Sequence, residues 1–375
     1  GGEGEFEKCK ALEKWLEKNG FTGVERFDAP DPRVPSGVRP TLVVTIPGRD
    51  SSRAVWIMSH TDVVPVGELS LWNTDPWRVI EKEGRIYGRG VEDNQQGLVS
   101  SIFAARAFIE EKLLPVCTVK LLFVADEEVG SACGIRYLLE NHALFGKDDI
   151  IVIPDGGDTE GTAIEVAEKN LLWLRIIVKG KQTHGSRPDE GANAHLAGAA
   201  LALSLNEMET FFDKRDRLFH PDKSTFQPTK QEVNVPNINT IPGEDVFYMD
   251  CRILPCYTLD TVRSEILRRI AAVERKYGVS ITFTEEQAVE SPATPVDAPV
   301  VKALSRAIKQ VYGKEPHPVG VGGGTVAAYL RKSGFNAAVW SRVEDTAHQP
   351  NENCIIDNLI GDAGVMAFLM LNADT

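Results

Sequence analysis

The sequence predicts an α/β protein: a mostly parallel sheet covered on both faces by helices, interrupted by a smaller inserted α+β domain. Three observations carry this expectation. Apolar runs of strand length alternate with helical segments, and strands apolar on both sides belong to parallel sheets buried on both faces. The texture changes near Asn170 to strand, helix, strand, helix, strand, and changes back after Pro299. Finally, 375 residues exceed what one small core organises and fit two domains.

Taken in order, Phe6, Cys9, Leu12, Trp15 and Leu16 recur at helical spacing over 5–19, and Gly20 is a natural stop. Strands follow over 40–47 and 54–59, bounded by turn residues. A helix over 97–111, a strand over 119–124, a helix over 135–142 and a buried strand over 150–154 continue the alternation. The inserted segment holds a strand over 171–180, an Ala/Leu-rich helix over 191–209, a strand over 246–252, an amphipathic helix over 258–277 and a strand over 279–284. A helix from Pro299 to Tyr312, a glycine-rich turn, a helix through Leu330 and a closing helix from Ile356 complete the chain. The expected domains are therefore 1–171 with 289–375, and the insertion 172–288. No internal repeat is visible.

The net charge of −13 argues against a nucleic-acid partner, which rewards basic surface. No apolar run approaches the roughly 18–20 residues that span a bilayer, so no membrane partner is expected. The chain starts at Gly1 without a methionine, and no secretory leader is visible. Six scattered cysteines without a CxxC pair fit reduced thiols and a cytoplasmic location.

Chemistry concentrates where strands end. The strand reaching Ser59 runs into His60-Thr61-Asp62, and ligands of parallel sheets bind just past the carboxyl ends of strands. A carboxylate that takes the second ring proton of a metal-bound histidine fixes its tautomer. Gly90 to Gly97 brings Asp93 before a helix, the strand to Val124 delivers Asp126-Glu127-Glu128, and the strand to Ile153 delivers Asp155. Asp93 or Asp155 taken singly reads equally well as a helix N-cap. Glu127-Glu128 does not, because adjacent carboxylates repel unless a cation offsets them. Ala347-His348 adds a second histidine in a loop before a helix. His142, His195, His220 and His317 match no motif, and Trp72 to Trp77 reads as a packed loop.

Ser59-His60-Thr61-Asp62, Gly90 to Gly97, Asp126-Glu127-Glu128, Asp155 and Ala347-His348, in this order, resemble the aminoacylase/dipeptidase family of co-catalytic zinc hydrolases. That family (M20) includes acetylornithine deacetylase and succinyl-diaminopimelate desuccinylase. The resemblance runs from the Gly-Gly-Glu-Gly-Glu start to the final helix. It implies two divalent metals, one held by His60, Asp93 and Asp155, the other by Asp93, Glu128 and His348, with Asp93 bridging. It also makes Glu127 the general base and Asp62 the partner of His60. Three carboxylates against two divalent cations leave a charge that a bridging hydroxide neutralises, and such a water is nucleophilic at neutral pH. The mixed N/O donors suit zinc, and cobalt or manganese can replace it.

In the insertion, Thr183 to Pro188 resembles the family's lid motif, which implies that His184 steadies an oxyanion across a homodimer. Asn239 to Gly243 and Asp250-Cys251-Arg252 resemble its substrate-binding segments, so Asn239 and Arg252 are expected at the substrate, Arg252 as a clamp on a carboxylate. Gly322 to Thr325 resembles the turn that cradles the same end, placing Gly323, Gly324 and Thr325 there; alone it reads as a plain turn. The expected activity is hydrolysis of a dipeptide, small peptide or N-acyl amino acid. Asp at position 155 leans toward the family's dipeptidases and aminopeptidases. Chain length leans toward the deacylases, whereas Asn94-Gln95-Gln96 departs from the Met-Lys-Gly of many of them. A non-catalytic scaffold of the same fold is the alternative from another class.

Overall fold

The computed structural model describes residues 4–373, so the first three residues of the Gly-Gly-Glu-Gly-Glu start lie outside it. The chain divides into two compact units, Gly1–Val166 with Ala293–Val319 and Thr325–Thr375, and Ala167–Pro292 with Gly320–Gly324.

The first unit is built on an eight-stranded sheet. Its order is Val24–Pro30, Val38–Ile46, Cys117–Val124, Asp50–His60, Ile150–Asp158, Ala337–Arg342, Ala163–Glu168 and His317–Val321. The four strands from Cys117–Val124 to Ala337–Arg342 run parallel, and their neighbours toward Val24–Pro30 run antiparallel, as does Ala163–Glu168 against Ala337–Arg342. Trp56, Ile57, Leu121, Leu122, Phe123 and Trp340 are fully buried, as strands covered on both faces require.

Ala337–Arg342 is a strand that the sequence pattern did not suggest. Its apolar run, Ala337 to Trp340, is four residues long and sits between two helical segments, too short to show a period. It nevertheless fills the parallel sheet. Its register against Ile150–Asp158 shifts, since Val339 lies opposite Ile153 and Ser341 opposite Gly157. Pro154, Asp155 and Gly156 thus face the single Trp340, an irregularity that re-aims side chains. Gly157 adopts φ +149°, and a Cβ there would come within 2.0 Å of the Ser341 carbonyl oxygen, so the kink needs glycine.

The second unit is a four-stranded antiparallel sheet in the order Thr225–Gln231, Glu244–Ile253, Asn170–Lys179 and Ser280–Val289. Leu172, Leu174, Ile176 and Val178 alternate along one strand and pack with Ala197, Leu201 and Leu205 of the helix Ala194–Asn206 and with Val262, Ile266 and Ile270 of the helix Leu259–Tyr277. Thr258 caps the latter by accepting from the Thr261 N–H, and Gly278 ends it in the left-handed region. Thr225–Gln231 was not expected as a strand, because Pro228 and polar neighbours break the pattern. As an edge strand with a register shift beside Pro228 it tolerates the missing donor. Gly320–Gly324 groups with this unit for a local reason. Gly320 N donates to the Leu218 carbonyl (2.6 Å), Lys169 N to that of Val321 (3.0 Å), and Arg252 Nη1 to that of Gly322 (2.8 Å).

The helix Gln95–Glu110 presses Gly97 onto the Pro154 turn of the first unit. A Cβ on Gly97 would meet the Pro154 carbonyl oxygen at 2.5 Å and Cγ at 2.6 Å. Alanine favours a helix over glycine by about 1 kcal/mol. Overpacking against backbone costs ~1–3 kcal/mol. Gly97→Ala is therefore expected to lower the urea midpoint; a midpoint equal to or above that of the unsubstituted chain would show that the helix moves aside freely.

Candidate metal centre

The carboxyl ends of the four parallel strands deliver one set of side chains. His60 is the last residue of Asp50–His60, and Glu127 and Glu128 follow Cys117–Val124. Asp155 lies in the irregular turn of Ile150–Asp158, and His348 in the loop after Ala337–Arg342. Asp93 comes just ahead of the helix Gln95–Glu110.

Asp93 is the common member. Its Oδ1 lies 2.7 Å from His60 Nε2, and its Oδ2 lies 3.0 Å from His348 Nε2. The same His60 nitrogen is 3.4 Å from Asp155 Oδ1, and the same His348 nitrogen is 3.1 Å from Glu128 Oε2. Donor atoms of His60, Glu127 and Asp155 lie within 4.8 Å of one another, as do those of His60, Asp93 and Glu128. Glu127 thus stands beside Asp155 and His60, next to the expected ligands. Asn94 Nδ2 donates to Asp155 Oδ1 (2.5 Å) and to the Pro154 carbonyl (2.6 Å), which fixes the Asp155 side chain.

Crowding sets the electrostatics. Burial, then the charge of Asp155, pushes the Glu127 carboxyl well above its usual range. Burial raises Asp155 to about 6, with His60 opposing. Burial works against charge on His60, yet Asp155, Asp62 and Asp93 prevail and hold its pKa well above the usual value. The hydrogen bonds to Asp93 and Glu128 raise His348 to about 10. These protons sit where a cation would compete for the same donors. Glu128 Oε1 is buried with no hydrogen-bond partner. Carboxylates and imidazoles at this spacing, with an unused buried oxygen among them, fit a divalent cation.

Asp62 organises the two strand ends. Its oxygens accept the N–H groups of Glu127 and Glu128, each at 3.0 Å. His60 Nδ1 lies 3.1 Å from the Asp62 carbonyl oxygen and 3.4 Å from its carboxylate, so the other ring nitrogen faces Asp93. Burial opposes the charge of Asp62, but His60 outweighs it and brings this carboxyl down to about 2. Asp126, just before the pair, adopts φ +64°, a left-handed conformation that costs a non-glycine residue energy and is held by its surroundings.

Two carboxylates that sequence reasoning left without a role bind the Asp93 and His348 loops to each other. Glu352 Oε1 accepts the N–H groups of Glu92 (3.0 Å) and Asp93 (3.1 Å), while Oε2 accepts Gly90 N (2.9 Å) and pairs with Arg89 Nη1 (2.6 Å). In return Glu92 accepts the N–H groups of Glu344 and Thr346 and the Thr346 hydroxyl. His348 itself is left-handed at φ +63°. Only the acidic residue beside each motif hinted at this arrangement.

The expected substrate residues have local settings of their own. Thr325, in the first unit, turns its hydroxyl to the Ala327 N–H. In the second unit, His184 is exposed and pairs through the backbone with Thr240, while Gly185 N donates to the Asn239 carbonyl (2.7 Å). Ser186 N donates to His184 Nδ1 (3.2 Å), so a neutral His184 carries its proton on Nε2. Arg252 is engaged by Asp250 through Nε (2.7 Å) and Nη2 (3.0 Å) and by the Gly322 carbonyl through Nη1, which leaves two of five N–H donors. A Cβ added at Gly323 would meet nothing within 4 Å, and one added at Gly324 would only graze Glu168 Oε2 at 3.8 Å.

The profile of peptidase family M20/M25/M40 matches residues 56–372. An uncharacterised metallohydrolase of Methanocaldococcus jannaschii is 40% identical over 382 aligned residues, covering 97% of this chain and 93% of its own length. The chain belongs to peptidase family M20/M25/M40. A succinyl-diaminopimelate desuccinylase of Nautilia profundicola is 29% identical over 296 residues, 78% of this chain and 77% of its own length. The solved M20 family metallo-carboxypeptidase of Sulfolobus solfataricus shares the fold with a TM-score of 0.78 at 21% identity, covering 99% of this chain and 95% of that one.

Glu352 tests how far this family member's centre depends on its loops. Glu352→Gln removes the charge opposite buried Arg89, and breaking a buried pair costs ~3–5 kcal/mol. Residues that orient metal ligands are worth roughly 10–100-fold in metal affinity. Both the urea midpoint and the affinity for added zinc are expected to fall. A variant unchanged in both would show that the Asp93 loop holds its shape unaided.

Proposed function

We propose that the chain hydrolyses an amide bond of a dipeptide or other small peptide at a two-metal centre, with zinc as the metal. As a member of its family it is a metal-dependent hydrolase. One observation carries the two-metal reading: Asp93 presents one oxygen to His60 and the other to His348, as a bridging carboxylate does. His60, Asp93 and Asp155 would hold one ion, and Asp93, Glu128 and His348 the other. Such ions supply Lewis acidity and a nucleophilic water at neutral pH. Glu127, beside Asp155 and next to the ligand Glu128, accepts the proton of the attacking water and passes it to the leaving amine. Asp62 keeps His60 turned toward Asp93 and the Glu127 backbone in place.

In the inserted unit, the Nε2–H of His184 is the donor for the oxyanion, given from a partner chain in a homodimer that joins through these units. The two remaining donors of Arg252, with Asn239, Gly323, Gly324 and Thr325, receive the substrate's carboxylate end. Asp155 supports the peptidase branch. The desuccinylase relative supports a second reading, removal of an acyl group from an N-acyl amino acid. The cytoplasmic location expected from the scattered cysteines is part of this reading, and the six free cysteines suit a reducing compartment; no helix among the described residues is long and apolar enough to cross a membrane.

A panel of dipeptides and N-acyl amino acids, assayed with added zinc, cobalt and manganese, tests the reading. Dipeptides are expected to turn over best and chelator to abolish activity. Preference for the acyl substrates would select the second reading, and no turnover of either class with metal bound would leave a scaffold. Glu127→Gln is expected to keep its zinc and lose roughly 10²-fold or more in turnover.

His184 has a separate test. Mixing a His184→Ala chain with a Glu127→Gln chain is expected to restore activity, because one heterodimer site then has both its base and the partner's histidine. Heterodimers without activity, or a monomer by light scattering at micromolar concentration, would exclude a shared site.

A further inference from the structure

The helix Glu5–Lys18 buries Cys9 and Leu16 against the first unit, which is ordinary packing. Two of its polar residues do something else. Glu5 and Lys8 stand three apart and so share a face. Glu5 is only 4% exposed, and its Oε1 accepts the Asp126 N–H at 2.8 Å. Its other oxygen pairs with Arg39, whose Nε reaches Asp31 Oδ2 at 2.7 Å and lies 3.6 Å from Asp126 Oδ1. Lys8 turns its ammonium inward and donates to the Thr61 carbonyl at 2.5 Å. That carbonyl sits between His60 and Asp62. An inward ammonium is costly unless it is used.

We propose that this helix belongs to the catalytic apparatus: Lys8 and Glu5 are positioning residues that latch the His60–Asp62 segment to the Asp126–Glu128 segment. Lys8 fixes the peptide between the metal ligand and the carboxylate that orients it. Glu5 fixes the strained Asp126, and hence the direction in which the Glu127 and Glu128 N–H groups meet Asp62. Burial lowers the pKa of Lys8 to about 8, and the charge of Asp62 opposes that shift.

The proposal rests on the two-metal reading above, and its test uses the full chain with zinc. Lys8→Met, Lys8→Gln, Glu5→Ala and Glu5→Gln are compared by zinc affinity against a chromophoric chelator, by kcat and KM on the preferred substrate, and by the Tm of the metal-free chain. Lys8→Met and Glu5→Ala are expected to weaken zinc binding by about 10-fold, the lower end for residues behind ligands. They should also lower kcat at saturating zinc while KM stays close to that of the unsubstituted chain. Glu5→Gln keeps an oxygen for the Asp126 N–H and is expected to recover most of the loss. Lys8→Gln keeps a neutral donor and carries the comparison if Lys8→Met does not fold. A fall in Tm with zinc affinity and kcat unchanged would make the helix merely structural and overturn the proposal. An unsubstituted chain that binds no zinc would overturn the two-metal reading first, before any variant is compared, and this proposal with it.

Discussion

The Asp62 carboxylate takes the Glu127 N–H on one oxygen and the Glu128 N–H on the other, both at 3.0 Å, and lies 3.4 Å from Nδ1 of His60. Three groups of the candidate centre are thus referred to one buried charge. A displaced Asp62 would turn the His60 ring, release the Glu127-Glu128 turn and leave Asp126 in a left-handed conformation with less to hold it there. Its low pKa follows from the same contacts and keeps it an acceptor through the working pH range.

Around that fixed point the carboxylates fall into two kinds. Asp93, Glu127, Glu128 and Asp155 crowd the imidazoles, and their mutual repulsion is what a cation would relieve. Glu5, Glu92, Glu352 and Asp62 each accept at least one backbone N–H, alongside ion pairs from Glu5 to Arg39 and from Glu352 to Arg89. The second kind shapes the loops that carry the first. Buried carboxylates with backbone donors are worth more than surface pairs because the alternative is an unsatisfied charge.

The periodic elements were legible in the sequence, because strands covered on both faces must be apolar and the helices carry clear stops. Ala337–Arg342 was not, since its four apolar residues show no period, and Thr225–Gln231 was hidden by Pro228. The gathering of His60, Asp93, Glu128, Asp155 and His348 could be anticipated, since each follows a strand or precedes a helix and the order matches a known pattern. Glu92 and Glu352 could not be assigned, because their partners lie more than 250 residues away and backbone N–H groups leave no trace in sequence. Lys8 was equally hidden, since a lysine on an amphipathic helix reads as solvated until its ammonium is seen on the Thr61 carbonyl.

The reciprocal bonds between the Asp93 and His348 loops bear on how the molecule is made. A sequence separation of 252 to 263 residues means that these contacts close a loop comprising most of the chain. Until His348 and Glu352 have been synthesised, Asp93 lacks one imidazole and its backbone lacks an acceptor. A nascent chain released from the ribosome one residue at a time can form its N-terminal strands early, but this centre assembles only after the last part of the sheet is in place. The centre therefore cannot close before the chain has been synthesised through Glu352.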